Sequence, residues 1–294
     1  MKSAYFVEKN KMEVREFPKA QLVKETDAII KIVRACVCGS DLWWFRGISE
    51  RQPGPVGHEA IGLIEEVGTG VKNFKVGDFV IVPFTHGCGH CPICLAGFEA
   101  NCPNAKDGVN GGYQGEFYRA INADGALVKI PGQPSDYSDD HLASLTALAD
   151  VMPTGFHAAK AADVHEGDTV VVFGDGAVGL CAVISAKLLG AKRIIAMSRH
   201  EDRAALARDF GATDIIAERG EEAIQKIMSL TNGYGADAAL ECVGTKQAIE
   251  SAFQAVRAGG RVGRVGVPHD VDYNEWIDSC LLYTSDAADE GLGV

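Results

Sequence analysis

From Asp168 onward, short apolar runs alternate with helical stretches, and this rhythm admits few folds. Thr169–Phe173 precedes Ala177–Leu189, Arg193–Met197 precedes Glu201–Phe210, Asp214–Ile216 precedes Glu221–Leu230, and Asp237–Glu241 precedes Lys246–Val256. Arg261–Val265 follows as one more strand. Strands joined through helices run parallel, so a doubly wound α/β sheet is expected. Gly190 and Gly211 stand just past their helices, where a left-handed cap is wanted. Such a sheet has about six strands; five are legible here, the last ending near Val267.

The first strand runs into Gly174-Asp175-Gly176-Ala177-Val178-Gly179, a G-x-G-x-x-G placed between strand and helix. Its glycines permit a tight turn and close backbone approach to a pyrophosphate, which rests on the helix N-terminus. A bare match marks only a glycine-rich turn; in this context it marks dinucleotide binding. At the end of the next strand an acid usually holds the ribose 2′-hydroxyl. This chain instead offers Ser198-Arg199-His200, which suits a 2′-phosphate and favours NADP over NAD. Ser198 and Glu201 also have the spacing of a capping box, and the two roles are compatible.

Residues 1–150 read differently. Ala28–Val33, Ala60–Val67 and Phe79–Val82 alternate and are broken by Gly, Pro and Asp, as in a barrel or sandwich. Asp139–Ala162 reads as a helical, Ala-rich connection. A net charge of −12 argues against nucleic acid. No apolar run reaches membrane-spanning length, and the N-terminus lacks the features of a signal peptide. A cytoplasmic protein is expected.

Cytosolic thiols stay reduced, so the nine cysteines call for another explanation than disulfides. Cys88, Cys91, Cys94 and Cys102 form C-x2-C-x2-C-x7-C. Four thiolates in one short loop suit a closed, tetrahedral, structural zinc; the C-x2-C-x2-C spacing also occurs in iron–sulfur proteins. A second set is dispersed: Cys38, the adjacent His58 and Glu59, and Asp150. One thiolate, one imidazole and one carboxylate leave a fourth position open and cancel the charge of a divalent ion. Spacing alone does not identify such a site.

As a set, Gly57-His58-Glu59-Ala60, the four-cysteine lobe, the Gly-rich turn and Ala258-Gly259-Gly260-Arg261-Val262 resemble the zinc-containing medium-chain dehydrogenase/reductase family, over residues 1 to about 278. The resemblance implies a GroES-like β-barrel catalytic domain at 1–150, with its zinc lobe at 86–104, and a Rossmann cofactor domain at 151–279. It implies two Zn2+ per chain, with Cys38, His58 and Asp150 holding the catalytic ion and Glu59 beside it as an alternative ligand. Ser40 would start the proton relay, and Thr154 with Val265-Gly266-Val267 would approach the nicotinamide. The implied activity is hydride transfer between a small alcohol and NAD(P), or reduction of an aldehyde or ketone, by a homodimer or homotetramer. A polyol or threonine-type dehydrogenase, or a non-catalytic zinc-binding fragment, are the alternatives. Many members place a His three residues after the relay residue; here Trp43 stands there, and Trp43 and Trp44 either line the substrate entrance or pack the domain.

The last stretch departs from the family. Cys280–Glu290 resembles the translation of a sequencing-library adapter. The expectation is a cofactor domain incomplete at its C-terminus, an artefactual tail at 280–294, and a chain that folds and turns over poorly.

Overall fold

A computed structural model describes residues 1–105 and 111–268, so the tail and the final part of the second domain lie outside the described residues. The chain divides into two compact units, Met1–Asp150 and Val151–Val294.

In the first unit, β1 (Lys2–Glu8) and β2 (Lys11–Glu16) form an antiparallel hairpin turned through Asn10, whose φ is 59°. β3 (Ala28–Ala35) leads to a short helix, α1 (Asp41–Arg46). β4 (Gly54–Pro55) pairs with β1, and β5 (Ala60–Val67) and β6 (Phe79–Val82) follow. Then come α2 (Pro92–Leu95), β7 (Phe117–Ala120), α3 (Ala123–Ala126), β8 (Val128–Lys129) and α4 (Asp139–Thr146). Five strands make an antiparallel sheet in the order β7-β3-β5-β6-β8. Alternation along the strands sends Ala28, Ile30, Ile64 and Val80 into one cluster and Ile61, Phe79 and Ile81 into another. Burial on both faces fixes the register, since a one-residue slip would exchange the two sets.

That register positions chemistry. Ala35 at the end of β3 pairs with Ala60 at the start of β5, so the loop after β3 and the loop before β5 leave the same sheet end together. The backbone N–H of Cys36 donates to the carbonyl of Glu59. Asp150 caps a turn of 3-10 helix whose Ala149 is buried in the second of the two clusters.

The second unit opens with α5 (Val151–Ala161). β9 (Thr169–Phe173), α6 (Ala177–Leu188), β10 (Arg193–Met197), α7 (Glu201–Phe210), β11 (Asp214–Ile216), α8 (Glu221–Leu230), β12 (Ala236–Glu241), α9 (Lys246–Ala255) and β13 (Val256–Arg264) follow. The strands are all parallel, in the order β11-β10-β9-β12-β13. The order reverses between β9 and β12, which is where doubly wound sheets open a ligand crevice. The apolar runs of β9 and β10 are buried almost throughout, as expected of strands covered on both sides. The last strand begins at Val256, earlier than the sequence pattern suggests, and a register irregularity between Ala236 and Ala238 absorbs the Ala258-Gly259-Gly260 stretch. Among the described residues no helix is long and apolar enough to cross a membrane.

Candidate metal centres and cofactor turn

The dispersed set converges. Ligand atoms of Cys38, His58, Glu59 and Asp150 all lie within 4.8 Å of one another. His58 Nε2 is 3.3 Å from Asp150 Oδ2, and the Cys38 thiol is 3.8 Å from the same oxygen. On the other side of the ring, His58 Nδ1 is 3.5 Å from Asp41 Oδ1. The other oxygen of Asp41 accepts from the Cys38 backbone N–H at 3.1 Å, so this buried carboxylate ties the Cys38 turn to the imidazole. Phe84 closes the far side of His58, edge to face at 6.2 Å.

Glu59 is 2% exposed and its Oε1 is buried without a hydrogen-bond partner, whereas its Oε2 accepts from the Cys36 thiol. A carboxylate oxygen left so is costly unless a cation or donor meets it. Burial pushes the Glu59 carboxyl up, against the Cys36 hydrogen bond, and the charge of Asp150 adds to the rise. Burial disfavours charge on His58, yet Asp150 and Asp41 outweigh it and push the imidazole up to about 12. Both shifts express one field: clustered acidic donors that demand positive charge. A divalent cation satisfies that demand, and the thiolate–imidazole–carboxylate set suits zinc.

Ser40 begins α1 with helical backbone angles, and its hydroxyl makes no cap hydrogen bond. Trp44 packs edge-on against Phe6 at 4.7 Å, with Arg51 over its ring, so it serves domain packing. Cys36 and Asp41 escaped the sequence reading as site residues. The signal for Asp41 is its place three residues after Cys38, where a turn brings a side chain back to the backbone.

In the other cluster, Cys91 and Cys94 sulfurs are 3.5 Å apart, Cys91 and Cys102 3.8 Å, and Cys88 and Cys94 4.0 Å. These are far too long for disulfides. They match the edge of about 3.8 Å expected for four thiolates around one zinc at about 2.3 Å. All four sulfurs lie within 4.8 Å of each other, which suits a single ion and leaves little room for several irons. The Asn104 amide and the His90 backbone N–H hold the Cys88 thiol down to about 5, while burial pushes Cys94 up to about 12.

In the second unit the Gly-rich turn leaves β9 as the motif demands. Gly174 has φ +118°, and a Cβ on Gly179 would stand 2.0 Å from the Gly174 carbonyl oxygen. Gly176 starts α6 with open space where its Cβ would be, room for a ligand to reach the backbone and the first residues of the helix, Ala177 and Val178. Thr154 lies in α5. The backbone N–H groups of Val265 and Gly266 donate to the Glu241 carbonyl, which docks the Val265–Val267 stretch on the end of β12. The fully buried Glu241 carboxylate accepts from Val243 and Gly244, both at 2.7 Å.

One expectation fails. Ser198 does not form a capping box with Glu201: the N-cap of α7 is His200, which makes no side-chain cap bond. The Ser198 hydroxyl donates to Asp175 Oδ2 at 2.8 Å instead. The box needs Ser198 itself at the N-cap, but α7 starts at Glu201, and the hydroxyl meets a carboxylate on the adjoining strand end, a charge-assisted partner. Arg203 holds the other Asp175 oxygen at 3.0 Å. Burial opposes this carboxyl's charge, but Ser198 and Arg203 hold it below the usual range.

Sequence comparison agrees with both halves. The "Alcohol dehydrogenase GroES-like domain" profile matches residues 24–132, and the "Zinc-binding dehydrogenase" profile matches residues 177–277. The chain is 37% identical over 281 residues to zinc-type alcohol dehydrogenase B of Aspergillus flavus, covering 91% of this chain and 64% of that protein. The chain thus spans just under two thirds of that relative's length. It is 36% identical over 250 residues to the NADP-dependent isopropanol dehydrogenase of Clostridium beijerinckii, covering 81% of this chain and 68% of that one. Among solved structures, an alcohol dehydrogenase from Thermus sp. superposes with a TM-score of 0.82 at 31% identity, covering 95% of this chain and 82% of that one.

Proposed function

The chain belongs to the zinc-dependent medium-chain dehydrogenase family, with a GroES-like domain followed by a Rossmann-type domain, and from that premise we propose that it represents an enzyme interconverting a small alcohol with its aldehyde or ketone, with NADP preferred to NAD. The observation that carries this reading is the convergence of Cys38, His58, Glu59 and Asp150, one buried acceptor of which lacks a hydrogen-bond partner. In this reading Cys38, His58 and Asp150 hold the catalytic zinc, Glu59 stands by as an alternative ligand, and Cys88, Cys91, Cys94 and Cys102 hold a second, structural zinc.

When bound, zinc supplies a Lewis acid that makes the substrate hydroxyl more acidic, and the nicotinamide supplies the hydride acceptor. The protein's own groups do the rest. Asp41 keeps the proton of His58 on Nδ1, which leaves Nε2 for the metal and fixes the ring. Ser40 takes the proton from the substrate hydroxyl, since its own hydroxyl is not spent on capping α1. With Trp43 three residues on, the proton leaves Ser40 to water or the cofactor ribose. Gly174, Gly176, Ala177, Val178 and Gly179 cradle the pyrophosphate, and Ser198 and Arg199 face the adenosine ribose. Thr154 and the Val265–Val267 stretch, docked on Glu241, orient the nicotinamide. Five reduced thiols serving as ligands suit a reducing compartment such as the cytoplasm.

The test is metal analysis joined to turnover of short secondary and primary alcohols with NADP. His58→Ala should abolish turnover with the fold retained and one equivalent of zinc lost. Turnover unchanged in that variant would sink the assignment.

A further inference from the structure

The residues around the adenosine end of the turn hold more charge than the motif requires. A pocket of about 310 Å³ opens at the ends of the strands, between the Gly-rich turn and α8 and α9. Its apolar lining includes Phe173, Met197 and Ala223. Asp175, Arg199 and Arg219 also line it. Asp175 is committed to Ser198 and Arg203, one donor on each oxygen. Arg219 directs its guanidinium at backbone carbonyls: Ala217 at 3.1 Å, Glu218 at 2.7 Å and Met197 at 3.5 Å. The Glu218 carboxylate is turned to Lys226, at 2.5 Å. Among the described residues, neither Arg199 nor Arg219 forms an ion pair, whereas the nearby Arg203 does.

Resting on the NADP reading above, we infer that Arg219 is a second cofactor-selecting residue, which with Arg199 forms a guanidinium pair for the 2′-phosphate of a phosphorylated dinucleotide. The chemistry follows from the charges. Two cations facing one pocket repel, and a dianion between them converts that repulsion into charge-assisted hydrogen bonds. Burial, with Arg199 nearby, lowers the Arg219 guanidinium below its ordinary value against the opposing pull of Asp175 and Glu218. A ribose bearing a plain 2′-hydroxyl offers neither cation a counter-charge, and the charge of Asp175 is already answered by Arg203. The carbonyls of Ala217, Glu218 and Met197 hold Arg219 in place before any ligand arrives, which reduces the ordering cost of binding. Arg219 lies just beyond β11, twenty positions after Arg199, so only the pairing of β10 with β11 reveals the two as neighbours.

The experiment measures binding, not turnover, on the full chain. Dissociation constants for adenosine 2′,5′-bisphosphate and for 5′-AMP are taken by calorimetry for the unaltered protein, Arg219→Gln and Arg219→Lys. The unaltered chain should prefer the bisphosphate, and Arg219→Gln should weaken the bisphosphate by about tenfold or more while leaving 5′-AMP within about twofold. Arg219→Lys keeps the charge but loses the planar fork, and should reduce the preference by about threefold; it reads the same ratio if the Gln variant does not fold. No preference in the unaltered chain would overturn the NADP reading and this inference together. A preference that survives both substitutions, or an equal loss for both ligands, would overturn the role of Arg219 alone and leave Arg199 as the selector.

Discussion

Two neighbouring glycines of the same turn should fail in opposite ways when changed to alanine. At Gly179 a Cβ would lie 2.0 Å from the Gly174 carbonyl oxygen and 2.6 Å from its carbon, both backbone atoms that cannot rotate away. Either α6 must lift from β9 or the turn must open, and overpacking of this kind costs about 1–3 kcal/mol. For a unit of this size that corresponds to a fall in Tm of about 2–12 °C. At Gly176 nothing lies within 4 Å of the Cβ position and the backbone is extended, with φ −83°. Alanine there should alter stability by less than about 1 kcal/mol, the small difference between Gly and Ala at an N-cap. The new methyl would occupy the approach to the pyrophosphate, so dinucleotide affinity should drop by about tenfold or more. Thermal unfolding followed by circular dichroism, beside NADPH binding followed by fluorescence, separates the two effects. The reasoning is refuted if Gly176→Ala lowers Tm as far as Gly179→Ala does, or if it leaves NADPH affinity intact.

Cys91→Ala should release the metal of the four-cysteine lobe, lowering zinc from about two to about one per chain and lowering Tm, because a structural ion contributes folding free energy directly; iron and acid-labile sulfide in the unaltered protein would contradict this. Arg199→Asp should reverse cofactor choice, moving the NADPH-to-NADH ratio of kcat/KM by about tenfold or more toward NADH, since a charge-assisted pair becomes a repulsion; an unchanged ratio would leave Arg199 outside the site. Asp237 accepts from the Thr169 N–H and from Arg257, both at 2.7 Å, and although burial opposes its charge these donors hold its carboxyl below the ordinary range. A depressed folded pKa gives stability that is complete above the unfolded value of about 4 and disappears as pH falls through the folded one. Asp237→Asn should therefore be less stable than the unaltered protein at neutral pH, with the gap closing below about pH 4 in urea titrations at several pH values.

The second unit was the more legible. Its strands carry nearly unbroken apolar runs such as Val170–Phe173 because both faces are covered, and its helices stand between them, so order and direction follow from the alternation. The failure at Ser198 is equally physical. A capping box is a local pattern, read within four residues, whereas the acceptor that takes the Ser198 hydroxyl is Asp175, 23 residues away and adjacent only once β9 and β10 have paired. Arg219 was invisible for the same reason. In the first unit the hairpin of β1 and β2 was hidden because the alternation of β2 marks no buried face: its apolar members Met12 and Val14 are exposed and none of its side chains is fully buried.

The two metal centres differ in what a sequence can reveal because they differ in what assembles them. The four thiols of the lobe fall between positions 88 and 102, so the chain needs only a short loop to bring them together, and their spacing is itself the signal. The open site draws on positions 38, 58, 59 and 150, and nothing in those intervals announces a ligand set. Its assembly lies in the pairing of β3 with β5. Ile32 opposes Gly62, but Arg34 opposes Ile61, so Val33 is an extra residue on β3 and the register advances by one. Without that bulge Ala35 would stand opposite Glu59; with it Ala35 meets Ala60, and the following turn carries Cys36 and Cys38 alongside Glu59 and His58. The bulge at Val33 on β3 offsets one at Glu65 on β5, so unpaired residues within the strands decide which side chains enter the site, the re-aiming that bulges provide beside functional centres. The ligand identities are written in the chain, while their convergence is written in the register, and the register is held by the apolar faces of the sheet.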